Sequence, residues 1–255
     1  MNKSIIIYLI FFVLSTQIQA QTNTEKQVKP VFDQLVLAYG NAKSAPLLEI
    51  INDKKIQKTP AFYSPTNKPV IKVDAHFYKL CQSFGKDSLN ALSIVISHEL
   101  AHYYNDHTFC SDFAFAMRDK NKELALKLKS VSKTEKMSSE SQADYQGLFY
   151  AAIAGFHPFE VHSKLLDAIY KTYQLAEANV GYPSKTERKA MANSALQKAN
   201  SLYLSFQKGV AYKENKKYNE AIKTFEEINN YFPSRENYNN VGVLKTLQAL
   251  EFQVV

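Results

Sequence analysis

Hydrophobic residues recur at three- and four-residue spacing through most of this chain, which is the period of an amphipathic helix. Residues 27–39 show this pattern first. The residue pattern then changes: prolines bound two short apolar runs, 61–63 and 70–73, and these runs predict a small β-sheet. Asp74 is predicted to cap a helix over 75–84, and the helical period continues almost to the end of the chain. The sequence therefore predicts a mainly α fold with a small β-sheet, of the α+β class.

A helical stretch that no Gly or Pro interrupts, residues 88–107, contains the pattern HELAH at 98–102. Two histidines four residues apart project from one face of a helix, so both imidazoles can reach a single ion. Glu99 lies about 100° further round the helix, where its carboxylate can contact a water bound to that ion. A zinc hydrolase requires this arrangement. The alternative is that the two histidines contact only each other or solvent.

A third ligand is predicted from residues 140–144, ESQAD, which open a helix over 143–154. Glu140, carried by this second helix, would complete a His, His, Glu site and leave the fourth position of the metal for water. Asp144 follows four residues later on the same face, where it can orient a ligating imidazole. The alternative is a solvated helix start with acidic residues at the positive end of the helix dipole.

These motifs, with His107 five residues after HELAH and an AGFHP turn at 154–158, resemble the HtpX/CAAX-prenyl-protease family of zinc metallopeptidases. The family pattern is HExxH with a later ExxxD, of the gluzincin type. The resemblance covers residues 60–188 and implies a zincin-like metallopeptidase domain with one Zn2+ ion per chain. It implies three zinc ligands, which are His98, His102 and Glu140. It also implies that Glu99 is the catalytic acid and base and that Asp144 orients a ligand.

One departure from the family concerns a His-Pro pair that precedes an arginine in many soluble members. Residues 182–188 keep Pro183 and Arg188 but place Tyr182 where the histidine would be. A tyrosine hydroxyl can donate to a developing oxyanion, so Tyr182 is predicted as a further catalytic residue. The alternative is that Tyr182 is a turn residue before a proline.

Two features beside the predicted site each have two possible structural interpretations. His107 is expected to cap the end of its helix as a cation, and the alternative places it in the cleft. The strand over 70–73 either presents an open edge to which a substrate chain adds or is an ordinary core strand. The other histidines fit no ligand spacing and are expected to be structural; they are His76, His157 and His162.

The C-terminal part of the chain has the register of a tetratricopeptide repeat, with helices near 202–214 and 218–231. The positions that carry this register are Gly209, Tyr212, Ala221, Phe225 and Pro233. The pattern restarts at 238–242, which makes an incomplete second repeat, and the alternative is a plain helical hairpin. Since an isolated repeat cannot bury its apolar face, it either packs against the peptidase domain or pairs with another chain. It resembles the repeats joined to this catalytic domain in periplasmic peptidases. The predicted domains are a signal peptide over 1–20, a zinc metallopeptidase domain over 21–200 and a tetratricopeptide-like segment over 201–255.

Residues 1–20 are predicted to be a signal peptide that is cleaved after Ala20, because Lys3 precedes ten apolar residues over 5–14. The mature chain is expected to be exported, periplasmic or secreted, without a membrane span, because the next apolar run, 147–156, is too short. The net charge is +7, but the basic residues are interspersed with acidic ones, so no nucleic-acid partner is expected.

Two cysteines, Cys81 and Cys110, flank the HELAH helix. In an exported protein they are able to pair, and a bridge would then tie the approach to this helix to the segment that follows it. Two buried thiols are the alternative, since pairing requires Cα atoms within about 7 Å of each other.

Together these patterns predict an exported zinc-dependent metalloendopeptidase that hydrolyses peptide bonds in misfolded or unassembled envelope proteins. The expected partners are a polypeptide substrate and an envelope protein bound through the C-terminal helices. The alternative is a chaperone-like binding protein that uses the repeat segment and carries a latent or structural zinc site.

Overall fold

The computed structural model describes residues 23–65, 67–107, 133–175 and 184–252. These residues form a mainly helical structure with one small three-stranded mixed sheet, so the predicted fold class is confirmed. The signal peptide predicted over 1–20 lies outside the described residues, and export stays a prediction.

The first helix, α1, spans residues 23–39, so it ends where the apolar spacing predicts and begins four residues before the expected start at 27. One stripe of this helix is buried in the core and consists of Val28, Val31, Phe32, Leu35 and Tyr39. Gly40 follows with a φ of +53°, a left-handed conformation that glycine adopts without the steric cost of a Cβ atom. The chain then turns away from the helix axis and enters the sheet.

The sheet consists of β1 (Leu47–Ile51), β2 (Ala61–Ser64) and β3 (Val70–Asp74) in the order β1-β3-β2. The middle strand, β3, pairs in parallel with β1 and antiparallel with β2. Of the two alternatives for 70–73, the open edge is therefore wrong and the core strand is confirmed, because partners occupy both edges of that strand. β1 was not predicted, because this outer strand has no clear apolar alternation and leaves Leu47 56% exposed.

A short helix, α2 (Ala75–Gln82), follows β3 directly. Asp74 caps it as predicted, because its Oδ1 accepts a hydrogen bond of 3.0 Å from the backbone N–H of His76. The helix ends two residues before the expected Phe84, and a single 3-10 turn over Gly85–Asp87 leads into the next helix.

Two long helices, α3 (Ser88–Tyr104) and α4 (Lys133–Ile153), pack against each other in the centre of the molecule. Buried residues occur on every side of α3, as expected for a helix surrounded by other elements. α4 begins ten residues before the predicted start at 143, so Glu140 lies inside a helix and does not open one. The interpretation of the acidic residues as a solvated helix start is therefore wrong.

The rest of the described chain is helical: α5 (Pro158–Thr172), α6 (Lys185–Glu214), α7 (Tyr218–Asn229) and α8 (Arg235–Phe252). The domain boundary expected at residue 200 lies inside the continuous helix α6. Phe225 of α7 packs against Gly209, where a Cβ atom would lie 2.9 Å from the aromatic ring. Phe232 is completely buried and stacks on Phe149 of α4 with ring centroids 4.8 Å apart. The C-terminal helices thus pack against the rest of the chain, which is one of the two expected arrangements.

None of the helices within the described ranges combines the length and the hydrophobicity that a membrane crossing requires.

Candidate metal centre

The structure brings the three predicted ligands together. His98 and His102 lie one turn apart on α3 with their Nε2 atoms 3.0 Å apart. Glu140 reaches them from α4, with Oε2 3.5 Å from His98 Nε2 and Oε1 3.4 Å from His102 Nε2. Two ligands bonded to zinc at about 2.0–2.1 Å in a tetrahedron are separated by about 3.3–3.4 Å. The nitrogen and carboxylate donors therefore have the chemistry and the spacing to hold one metal ion.

The two ligand-bearing helices approach closely because α4 carries a glycine at the crossing point. A Cβ atom built on Gly147 would lie 2.9 Å from the backbone nitrogen of His98 and 3.1 Å from its Cα atom. Glu140, Asp144 and Gly147 follow one another at spacings of four and three, so they share one face of α4. No sequence motif singles out Gly147, although it follows Glu140 and Asp144 at helical spacing.

Asp144 connects a ligand to a buried ion pair. Its Oδ1 lies 2.9 Å from His98 Nδ1, the ring nitrogen that faces away from Glu140. The guanidinium of Arg188 binds both carboxylate oxygens of Asp144, through Nη2 to Oδ1 at 2.9 Å and through Nη1 to Oδ2. Arg188 Nη2 also lies 3.4 Å from Glu140 Oε2. Asp144 thus lies where it can fix the orientation of the His98 ring, and Arg188 fixes Asp144.

The start of α6 positions Arg188. Ser184 caps this helix by accepting from the backbone N–H of Glu187, and the Glu187 side chain accepts from the backbone N–H of Ser184 in return. This reciprocal capping box defines the first turn, from which Arg188 reaches the metal centre. The sequence S-x-x-E at 184–187 is a signal for this helix start, although no helix start was predicted there.

Electrostatics keep both carboxylates of the centre ionised. Burial would raise the pKa of Glu140, but the charges of His102 and Arg188 and hydrogen bonds to the histidines hold this pKa well below its usual value. Burial opposes ionisation of Asp144 in the same way, and Arg188 and His98 hold its pKa below the usual value. Burial would lower the pKa of His98, but hydrogen bonds to Asp144 and Glu140 outweigh it and raise this pKa to about 10. The centre is therefore built to attract positive charge.

The Glu99 side chain contacts the sheet. It is 7% exposed, and its Oε2 accepts a hydrogen bond of 2.8 Å from the backbone N–H of Tyr63 on β2. This bond fixes the carboxylate on the side of α3 that faces the strand. The strand that contacts α3 at Glu99 is therefore β2, a contact that the residue pattern did not predict.

His107 lies beside His102, with the Nδ1 atoms of the two rings 3.1 Å apart. Burial and the neighbouring His102 lower the pKa of His107 to about 4, a direction that disfavours the cation expected of a helix cap. The ring contacts His102 instead. Among the histidines expected to be structural, His76 contacts the capping residue Asp74, and His162 is buried.

Two predicted features depend on residues outside the described ranges. Tyr182 is one, so its role in oxyanion stabilisation stays a prediction. Cys110 is the other, so its pairing with Cys81 also stays a prediction. Cys81 itself is a completely buried thiol on α2, and burial raises its pKa.

The sequence matches no protein-family model and no curated protein. A function for this chain is therefore argued from the chemistry of the metal centre.

Proposed function

We propose that this protein is a zinc-dependent metalloendopeptidase. The observation that carries the proposal is the convergence of His98, His102 and Glu140 beside a buried glutamate, Glu99, on the same helix as the two histidines. Two histidines and one carboxylate form the donor set of hydrolytic zinc sites, which keep one coordination position for water or substrate. When bound, zinc supplies a Lewis acid for the scissile carbonyl and lowers the pKa of water.

Glu99 is the general base and acid in this proposal. Its carboxylate accepts a proton from the attacking water and then delivers that proton to the leaving amine. The hydrogen bond from the Tyr63 N–H holds the side chain in one orientation, so little rotational freedom is lost at the moment of proton transfer. By binding Nδ1 of His98, Asp144 keeps Nε2 of the same ring directed at His102 and Glu140, where it would hold the metal.

The test is the substitution Glu99→Gln. A glutamine oxygen can still accept from the Tyr63 N–H, so we expect a folded protein with an unchanged zinc content. Cleavage of an unfolded polypeptide should fall by about 10²–10⁴-fold, because an amide cannot accept the proton of water. The exposed Glu160 of α5 gives a matched control, and Glu160→Gln should keep full activity. Retained cleavage in Glu99→Gln would rule out the assigned role.

Misfolded or unassembled envelope proteins are the proposed substrates, and this part of the proposal depends on the predicted export signal. A binding function is the competing proposal. It is favoured by large apolar side chains that are exposed on the C-terminal helices and the loop between α7 and α8, which are Leu204, Tyr231, Tyr238, Val243 and Leu250. Incubation of the zinc-loaded protein with an unfolded polypeptide separates the two. Fragments that disappear with Glu99→Gln support the peptidase, whereas suppressed aggregation without fragments supports the binding protein.

A further inference from the structure

The end of α3 brings two histidines together by backbone geometry. His107 N–H donates to the His102 carbonyl at 2.9 Å, and Asp106 N–H donates to the Tyr103 carbonyl at 3.3 Å. Asp106 between them has a φ of +57°. This pair of hydrogen bonds around a left-handed residue is a Schellman motif, in which the side chains that begin and end the motif contact each other. Here those side chains belong to His102 and His107.

A chain of polar side chains continues from His107 along α4 and back to α3. His107 Nε2 lies 3.2 Å from Gln142 Oε1, and Gln142 Nε2 donates to Asn105 Oδ1 at 3.2 Å. Asn105 Nδ2 then donates to the Ala101 carbonyl at 2.8 Å and to the side chain of Gln146. Each contact joins one donor to one acceptor, and the chain ends on a backbone carbonyl of the helix that carries both histidine ligands.

The direction of these hydrogen bonds follows from the metal centre. His102 directs Nε2 at His98 and Glu140, so a metal bound there leaves the proton of the neutral ring on Nδ1. The Nδ1 atom of His107 lies 3.1 Å from that proton-bearing nitrogen, so it must accept, and the His107 ring carries its own proton on Nε2. That proton points at the carbonyl oxygen of Gln142, which can only accept. From His102 through His107 and Gln142 to Asn105, each side chain therefore donates a hydrogen bond to the next.

We propose that His107 is a positioning residue for the metal centre, which accepts from Nδ1 of His102 and, through Gln142 and Asn105, fixes the ring in its metal-binding orientation and tautomer. This inference rests on the metal centre of the proposed function. The two histidine ligands are then held by different partners, since an ionised carboxylate, Asp144, binds His98 whereas a neutral relay binds His102. Partners of this kind change the affinity of a site for its metal.

The test compares zinc affinities of purified full-length variants, measured by competition with a chromophoric chelator. His107→Phe removes the acceptor and should raise the zinc dissociation constant by about 10–100-fold. His107→Asn places an amide oxygen where Nδ1 stands and should recover most of the affinity. Gln142→Met breaks the next link and should produce a smaller loss. His157→Phe, at an exposed histidine, is the matched control and should bind zinc as the wild type does.

A spectroscopic readout separates positioning from general stability. The visible absorption of the Co2+-loaded protein reports the geometry of the ligands, and it should change in His107→Phe and return toward the wild-type spectrum in His107→Asn. Melting temperatures in excess chelator should differ little between these variants. If His107→Phe fails to fold, His107→Asn and Gln142→Met decide the question. Wild-type zinc affinity in His107→Phe or in Gln142→Met, or an equal loss in His107→Phe and His107→Asn, would overturn the proposal.

These measurements contain no peptide and so do not depend on hydrolysis. A wild-type protein that binds zinc through His98, His102 and Glu140 but cleaves no polypeptide would overturn the peptidase and leave the role of His107 intact. An active wild type with a fully zinc-competent His107→Phe variant would overturn only the role of His107.

Discussion

At the scale of single residues, Asp144 links a predicted ligand of the candidate metal centre to an arginine. It is 7% exposed and binds His98 on one side and the guanidinium of Arg188 on the other. A carboxylate buried to this extent is stable only if such partners replace its hydration. Removal of one partner leaves a charge that water cannot reach, which costs more than the pair itself contributes.

We therefore expect Arg188→Met to lower the free energy of unfolding by about 3–5 kcal/mol. The adjacent Lys189 provides a control, because its ion pair with Asp167 lies on the surface, with side chains 39% and 61% exposed. Lys189→Met should cost about 0–1 kcal/mol. Chemical denaturation in the presence of a chelator measures both. Equal losses in the two variants would show that the Arg188 pair behaves as a surface pair.

At the scale of secondary-structure elements, the crossing of α3 and α4 determines the distance between the histidines and Glu140. The crossing depends on Gly147, because the backbone of His98 occupies the space that a Cβ atom would need. The neighbouring atoms belong to a helix backbone, so they cannot rotate away as the end of a side chain can. A larger residue must displace one helix from the other, and the ligands move with the helices.

Gly147→Ala should destabilise the protein by about 1–3 kcal/mol, since overpacking outweighs the better helix propensity of alanine. Its zinc dissociation constant should also rise. Gly242, in the interior of α8, has no atom within 4 Å of its potential Cβ position. Gly242→Ala should therefore stabilise the protein by up to about 1 kcal/mol and leave zinc affinity unchanged. Denaturation and chelator competition test the pair, and a harmless Gly147→Ala would contradict the close crossing.

At the scale of the whole molecule, α6 joins the metal centre to the C-terminal helices. Its first turn carries Arg188 and its last part carries Gly209, which are separated by about 30 Å along the helix axis. The loop before α8 returns to α4. There Phe232 stacks on Phe149, and Ser234 forms a hydrogen bond with the hydroxyl of Tyr150. The C-terminal helices are therefore continuous with the core that holds the ligands.

Tyr150 offers a test of this contact through pH. Burial raises its pKa to about 12, although the hydrogen bond with Ser234 lowers it. Because the folded pKa lies above the ordinary value of 10.0, the stability from the neutral phenol is complete below about pH 10 and is lost as pH rises through about 12. The free energy of unfolding of Tyr150→Phe should be lower than that of the wild type by about 1 kcal/mol at neutral pH. Its stability should also decline less steeply over this alkaline range. The control is Tyr238→Phe, at a side chain 60% exposed. Its stability, measured by denaturation at each pH, should decline with pH as that of the wild type does.

The sequence by itself determined the features that depend on local spacing. The helical period predicted the mainly α fold, Asp74 identified the start of α2, and the i, i+4 spacing placed His98 and His102 on one face. These features depend on backbone geometry within a few residues, which the order of side-chain types reports directly. The pairing of Glu140 with these histidines was inferred from a family resemblance and from residue types, not from local spacing.

Only the tertiary structure decided which distant residues meet. It made β3 the central strand, placed Glu140 inside a long helix, and brought Arg188 to Asp144. These contacts depend on how close two helices can pack and on which partners burial leaves to a charged group. Such constraints act between segments far apart in the chain, and a single sequence carries no periodic signal for them.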